Sequence, residues 1–279
     1  MDKLEQFKTK GKFLMLALDH RGSFRKLLNS NNAKAVEEQE IVWTKREIIQ
    51  ALYQEMSGIL IDSKYGLPAY AHRKKPYLLC IEKSGFQEQS GESITELQYT
   101  VPELKKKGAK GIKLLVYIHP QAKSVNKQIK TTKQVQKDCQ ALKLPFFLEI
   151  VTYPIQGCHN HKPEMVLDSV NLFLENKVSA DVFKLEYPGD PAACWQITKY
   201  LKKTPWILLT RGAKYEKFKN ELKIAVANGA QGFLAGRALW QDFVKYPKNK
   251  RPDFFDTVVK HRWLEIKKIV LESDYQNYY

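Results

Sequence analysis

The sequence has no run of about eighteen apolar residues, the length a helix needs to cross a bilayer, and so predicts no membrane span. Residues Met1 to Lys12 are charged throughout and lack the apolar stretch of a secretory signal. Cysteine is scarce. Cys80, Cys139, Cys158 and Cys194 lie far apart with no CxxC pair, which argues against a disulfide scaffold and a zinc finger. These absences predict a chain of a reducing compartment, the cytoplasm. No GxGxxG and no P-loop follows any apolar run, so a nucleotide cradle is not indicated. Arginine is sparse, with eight residues against 38 lysines.

What is present is basic charge and enough apolar mass for a sizeable core. Hydrophobic residues make up 43% of the 279, which is too many for a disordered chain. Lys+Arg is 46 and Asp+Glu is 30, a net charge of +16. The lysines fall where helix surfaces and loops are expected, as at Lys105 to Lys107, Lys123 to Lys137 and Lys245 to Lys250. No nucleic-acid motif accompanies them, so they read as a solvated surface and predict no nucleic-acid partner. A basic binder of nucleic acid or another polyanion is the alternative of a different class. A basic surface also attracts small anions such as sugar phosphates.

Eight short apolar runs stand out: Phe13–Leu18, Gly58–Asp62, Tyr77–Glu82, Gly111–Tyr117, Pro145–Ile150, Asp181–Glu186, Pro205–Thr210 and Gln231–Gly236. They are nearly continuous rather than alternating, as strands covered on both faces are. Helical patterns lie between them at Glu38–Met56, Gln121–Leu142, Pro163–Glu175, Pro191–Leu201 and Tyr215–Ala227. A closing helix spans about 253–271. This alternation predicts an α/β fold, a single-domain (β/α)8 TIM barrel over residues 1–279, with an open doubly wound sheet as the alternative. The stretch Gly85–Gly91, with Gln87 and Ser90, reads as a loop.

Chemistry in such barrels sits at the C-terminal ends of the strands. Five runs carry a carboxylate there: Asp19, Asp62, Glu82, Glu149 and Glu186. Two contain a lysine, Lys113 and Lys184, and a mid-strand lysine is costly without a partner. The period of two puts Lys184 and Glu186 on one face, pointing into the mouth. The lysines are either structural partners of Glu149 or Glu186, or catalytic. In the catalytic reading, repulsion between two buried cations lowers the pKa of one amine and frees it to attack a carbonyl. Thr210-Arg211-Gly212 and Gly236-Arg237 follow the last two strands, where these barrels hold phosphate. Arg237 and Arg211 would bind its oxygens, though Arg211 also reads as a surface residue. His20 reads as a substrate contact. Cys158, His159 and His161 offer metal-ligand types without a nearby fourth ligand and read as plain loop, so no metal or other cofactor is predicted.

The stretches Leu16-Ala17-Leu18-Asp19-His20-Arg21-Gly22, Ile61 to Ala69, Glu82-Lys83-Ser84-Gly85, Ile112 to Tyr117, Phe146 to Tyr153, Val182 to Glu186 and Gly232 to Trp240 resemble, in order and spacing, the class I tagatose-1,6-bisphosphate aldolases and their sulfofructosephosphate aldolase relatives. The resemblance implies a metal-free, reversible aldol cleavage of a ketohexose 1,6-bisphosphate to dihydroxyacetone phosphate and glyceraldehyde 3-phosphate. The alternative substrate is 6-deoxy-6-sulfofructose 1-phosphate. Lys184 would form the Schiff base and Glu149 would be the acid/base group, with Asp19 and Lys113 assisting. Arg237, Gly236, Gly212, Arg211, Thr210, His20 and Arg21 would bind substrate or phosphate. The sequence departs from the family at His20, where Gln is usual, and at Arg211, where Ser or Ala is usual. A homo-oligomer is compatible with this reading.

Overall fold

The structure, a computed structural model, describes residues 3–85, 87–89 and 91–273. Eight parallel strands form its centre: β1 (Lys12–Leu18), β2 (Gly58–Ile61), β3 (Tyr77–Cys80), β4 (Gly111–Ile118), β5 (Phe146–Thr152), β6 (Val182–Leu185), β7 (Trp206–Leu209) and β8 (Gly232–Ala235). Because β1 pairs with both β2 and β8, the sheet closes. This is the (β/α)8 barrel that the eight apolar runs predict, each strand agreeing with its run to within two residues.

The runs are continuous because both faces are covered. Phe13, Met15, Ala17, Leu60, Leu78, Cys80, Phe147, Val182, Ile207 and Leu234 fill the barrel interior. Their neighbours in sequence, such as Leu14, Leu16, Ile59, Leu148 and Phe183, pack under the helices. Fully burying one such aliphatic or aromatic side chain is worth about 1.5–3 kcal/mol. Phe7, with Leu4, joins the interior cluster and meets Phe147 edge-on at 5.5 Å. Gly232 permits the closure beside β1: a Cβ there would lie 2.0 Å from the Phe13 carbonyl oxygen, and its φ is +133°.

Four local features differ from the sequence expectations. A two-residue strand, Lys8–Thr9, folds back on Lys12 and Phe13. Short helices at Gly22–Leu28 and Val101–Lys106 were not anticipated, since they bury only Phe24 and the pair Val101 and Leu104. The expected loop Gly85–Gly91 instead contributes Gln87–Gln89 to a hairpin with Glu92–Ile94, and Gly91 takes the left-handed φ of +76° that its turn needs; Ser90 lies outside the described residues. The closing helix contains a π turn at Phe255–Val259. The added residue rephases its apolar face, so that Phe254, Phe255, Val259, Trp263, Ile266 and Val270 are all buried. Among the described residues no helix is long and apolar enough to cross a membrane.

Candidate active site

The strand register sets the site. In the parallel pairing of β5 with β6, Glu149 stands opposite Lys184, and in that of β3 with β4, Cys80 stands opposite Lys113. Lys184 Nζ lies 2.8 Å from Glu149 Oε1, and Lys113 Nζ lies 2.7 Å from Glu149 Oε2. Lys113 also donates to Asp19 Oδ2 at 3.0 Å and to Glu82 Oε1 at 2.7 Å. Glu82 is fixed in turn by the Leu115 N–H at 3.2 Å. All of these groups except Asp19 are buried, and Asp19 is only slightly exposed. They border a cavity of about 610 Å³ at the C-terminal mouth of the barrel.

The two lysines are not left to repel each other. Glu149 stands between them, and Lys113 faces three carboxylates. Burial works against the Lys113 charge, but Asp19, Glu149 and Glu82 outweigh it and raise its pKa well above 10.5. Lys113 therefore stays a cation. Burial would raise the pKa of Asp19 and of Glu149, yet Lys113 first and then the other nearby cations hold both below the ordinary carboxylate range.

Two of the five strand-end carboxylates stay out of this cluster. Asp62 is buried beside Lys45 and accepts from the N–H groups of Lys64, Tyr65 and Gly66. Glu186 does not share the mouth with Lys184, because β6 ends at Leu185 and the period of two does not extend past it. Glu186 Oε1 instead accepts from the backbone N–H and hydroxyl of Thr152, each at 2.7 Å, and Oε2 meets Arg211 and Lys162. Glu82 is the reverse case. Its strand-end position was visible in the sequence, but nothing there assigned it to the lysine cluster.

The turns after β7 and β8 meet across the mouth. Arg237 opens a short helix, Arg237–Trp240, and its guanidinium lies 3.1 Å from where a Cβ on Gly212 would stand. Gly212 has φ +73°, a left-handed backbone that favours glycine. A Cβ on Gly236 would lie 3.1 Å from the Ala17 carbonyl oxygen and 3.1 Å from His20. Arg237 Nε is buried without a hydrogen-bond partner among the described residues. Thr210 and Arg211 also line the mouth. The Arg211 guanidinium is engaged, however, by Glu186 and by the Thr152 carbonyl at 2.6 Å. Arg21 is tied to Gln98 at 2.6 Å and to the Glu82 carbonyl at 2.8 Å. His20 packs edge-on against Trp240 at 5.3 Å. Burial first, and then Arg237, Lys45 and Lys184, push its pKa down to about 3, although Asp19 acts in the opposite sense. His20 is therefore neutral near pH 7. Lys26, on the short helix Gly22–Leu28, and Lys83 and Ser84, on the loop after β3, also line the mouth; none of the three was singled out as a site residue from the sequence.

Cys158 does not join His159 and His161. Those two imidazoles group with Glu164 on the exposed start of the helix Lys162–Glu175, outside the mouth.

Residues 13–242 match the family model of DeoC/LacD family aldolases. Among curated relatives, the tagatose 1,6-diphosphate aldolase of Staphylococcus aureus is 30% identical over 263 residues, covering 82% of this chain and 81% of its own. The enzyme of the same name from Staphylococcus epidermidis is 29% identical with the same coverage. Among solved structures, an archaeal fructose-1,6-bisphosphate aldolase whose catalytic lysine is covalently bound to a carbinolamine intermediate superposes with a TM-score of 0.67 at 20% identity, over 93% of this chain and 97% of that one. A Schiff-base-forming fructose-1,6-bisphosphate aldolase superposes with a TM-score of 0.65 at 20% identity, over 92% and 97%. These likenesses in structure bear on the fold, the match in sequence on the chemistry: the chain belongs to the DeoC/LacD aldolase family, and is an enzyme of the carbon–carbon lyase class.

Proposed function

We propose that this aldolase works through a Schiff base on Lys184 and cleaves a ketohexose 1,6-bisphosphate of the tagatose or fructose type to dihydroxyacetone phosphate and glyceraldehyde 3-phosphate. The observation that carries the proposal is the Lys184–Glu149–Lys113 arrangement, in which one carboxylate contacts the ammonium groups of both buried lysines. The names of the curated relatives support the substrate class.

Glu149 takes a proton from Lys184, and the free amine attacks the C2 ketone. Glu149 returns that proton to the carbinolamine hydroxyl, which leaves as water, so the imine is cationic and withdraws electrons. Glu149, again ionised, accepts the C4 hydroxyl proton as the C3–C4 bond breaks and the aldehyde departs. The enamine takes the proton back at C3, and water attacks C2 to release dihydroxyacetone phosphate and restore Lys184. Lys113 stays charged throughout, held by Asp19 and Glu82 when Glu149 is protonated. It supplies the fixed positive field that returns Glu149 to the ionised state. Arg237 and the turn at Gly212 bind the phosphate of the dihydroxyacetone half. Thr210, Gly236 and Arg21 border that space, while Arg211, bound to Glu186, shapes it.

Borohydride trapping tests the assignment. The chain is incubated with dihydroxyacetone phosphate, reduced, digested and mapped by mass spectrometry. The adduct is expected on Lys184. An adduct on Lys113 would exchange the roles of the two lysines, and no adduct on folded protein would overturn the Schiff-base reading.

A further inference from the structure

The segment between β5 and the next helix carries a second constellation that the aldol chemistry does not use. His159, His161 and Glu164 are exposed, yet their donor atoms converge: His159 Nε2 contacts Glu164 Oε2, and His161 Nδ1 lies 3.2 Å from Glu164 Oε1. One nitrogen from each imidazole and a carboxylate oxygen all lie within 4.8 Å of one another. A tetrahedral ion with bonds of about 2.1 Å holds its ligand atoms roughly 3.4 Å apart, so only small rotations separate this triad from coordination. Exposed side chains ordinarily spread into solvent. Here a carboxylate is flanked by two imidazoles instead.

The backbone beneath the triad is held in place. Asn160 points away from it and clasps the loop, donating to the carbonyls of Ile155 and Cys158 at 2.9 Å each and accepting from the Ile155 N–H at 3.0 Å. The His159 N–H donates to Gln121 at 3.2 Å, and its carbonyl lies 3.2 Å from Nε2 of the buried His119. His161 is the residue before the first turn of the helix Lys162–Glu175, and Glu164 lies within that turn. Both ends of the triad are thus fixed by contacts that do not involve the donor atoms, the support that a preorganised ligand set requires.

We propose that His159, His161 and Glu164 form a surface site for a borderline-soft divalent ion, Zn2+ above all, with its remaining position open to water. Two imidazoles and one carboxylate favour Zn2+ over Mg2+, which takes oxygen ligands in octahedral geometry. The ion staples the β5 loop to the helix that follows it. Between the ligands sits Lys162, whose ammonium reaches Glu186 at 3.1 Å, so the staple fixes the turn from which one cation braces the rim of the mouth. The site is structural and lies apart from the lysine cluster.

The test is calorimetric titration of the metal-free full-length chain with Zn2+ alone, and with Mg2+ alone as the contrast. Wild type and Cys158→Ser are expected to bind one equivalent of Zn2+ each and no Mg2+. His161→Ala and Glu164→Gln are expected to weaken binding at least tenfold, and His159→Ala combined with His161→Ala to abolish it. His159, His161 and Glu164 are exposed and Cys158 is half-buried and replaced by a near-isosteric serine, so the variants are expected to fold, which far-UV circular dichroism checks. Absence of Zn2+ binding in wild type, retention of full affinity in the double variant, or loss in Cys158→Ser alone would each overturn the proposal. Aldol cleavage by the metal-free chain is read separately, because the Schiff-base chemistry does not depend on this ion.

Discussion

Two buried lysine–carboxylate sites meet consecutive residues at the end of β1, Leu18 and Asp19, and they differ in what surrounds them. Lys45, on the helix Glu38–Leu52, is fully buried against Asp62 and donates to the Leu18 carbonyl at 2.8 Å. Phe24 and Tyr65 lie within cation–π range of it. Asp62 is saturated by three backbone N–H groups as well as by Lys45. Neither residue borders the mouth cavity. Lys113 and Lys184 share Glu149 at the edge of that cavity. The titrations diverge accordingly. Burial outweighs Asp62 and the more weakly felt Asp19 at Lys45 and lowers its pKa, whereas three carboxylates outweigh burial at Lys113 and raise it. A closed pair of this kind locks a helix to a strand. An open cluster with a surplus of charge and free space keeps a proton in play.

The contrast breaks most sharply at Lys184. Lys184→Ala is expected to lower kcat by at least about 10⁴-fold, because the other buried amine of the cluster, Lys113, is held as a cation by three carboxylates. Its folding stability should change little, since Lys113 still faces Asp19, Glu82 and Glu149. Steady-state cleavage with urea unfolding in parallel separates the two readings. Glu149→Gln comes next, with an expected loss of about 10²–10⁴-fold in turnover and an adduct still trapped by borohydride, though more slowly, because Glu149 also serves imine formation. Its stability effect carries a pH signature. Asp19 and Glu149 have folded pKa values below 3.8 and 4.5, so their contribution is full above those values and fades as pH falls through the folded ones. Lys113 contributes fully below 10.5, and its share is lost as pH rises through its raised folded pKa. The wild-type advantage over Glu149→Gln should therefore be present at pH 7 and shrink in strong acid.

Lys45→Met tests the closed site. It is expected to cost about 3 kcal/mol of stability, at the low end for a broken buried pair because three N–H groups still hold Asp62. Cleavage by the folded fraction should keep its kcat and KM. A large fall in kcat at unchanged stability would erase the distinction between the two sites.

How much of this was legible in the sequence follows the same division. Continuous apolar runs marked all eight strands, because burial on both faces leaves no polar positions to confuse the period. Mid-strand Lys113 and Lys184 stood out for the same reason. The fate of the strand-end carboxylates did not. Glu149 and Lys184 meet because β5 and β6 pair in one register, and Glu186 leaves the mouth because its strand stops a residue earlier; neither fact is local. Asp62 was claimed by Lys45, a lysine of the helical stretch Glu38–Met56 that nothing in the sequence singled out. The short helix Gly22–Leu28 buries only Phe24, which is too little to produce an amphipathic period. Glu164 was overlooked as a partner for His159 and His161 because it belongs to the helix and they belong to the loop. Only the first turn of that helix brings it back.

A smaller effect is expected at Arg237. Its guanidinium caps the turn at Gly212, and its buried Nε has no partner among the described residues. A charged hydrogen bond to phosphate is worth about 1.5–3 kcal/mol. Arg237→Ala should therefore raise KM by about ten- to a hundredfold, with kcat reduced less, because the contact is made in the ground state as well as in the transition state. Equal loss in kcat and kcat/KM would place Arg237 on the chemical step.

The smallest effect belongs to His20, and it sharpens the comparison most finely, since charges of both sites act on it. Burial first, and then Arg237, Lys45 and Lys184, hold its imidazole neutral against Asp19, at a pKa of about 3. A neutral imidazole offers one donor and one acceptor, as a glutamine amide does. His20→Gln, which restores the residue usual in the resembled family, should change kcat/KM by no more than about threefold. The pH profile of the wild type should show no inflection near 6.5, the ordinary histidine value, that the variant lacks. If such an inflection exists and vanishes in His20→Gln, the imidazole titrates during turnover. Burial and the cations Arg237, Lys45 and Lys184 together then do not hold His20 neutral through turnover, and its departure from glutamine adds a titrating group to the open site that the closed pair lacks.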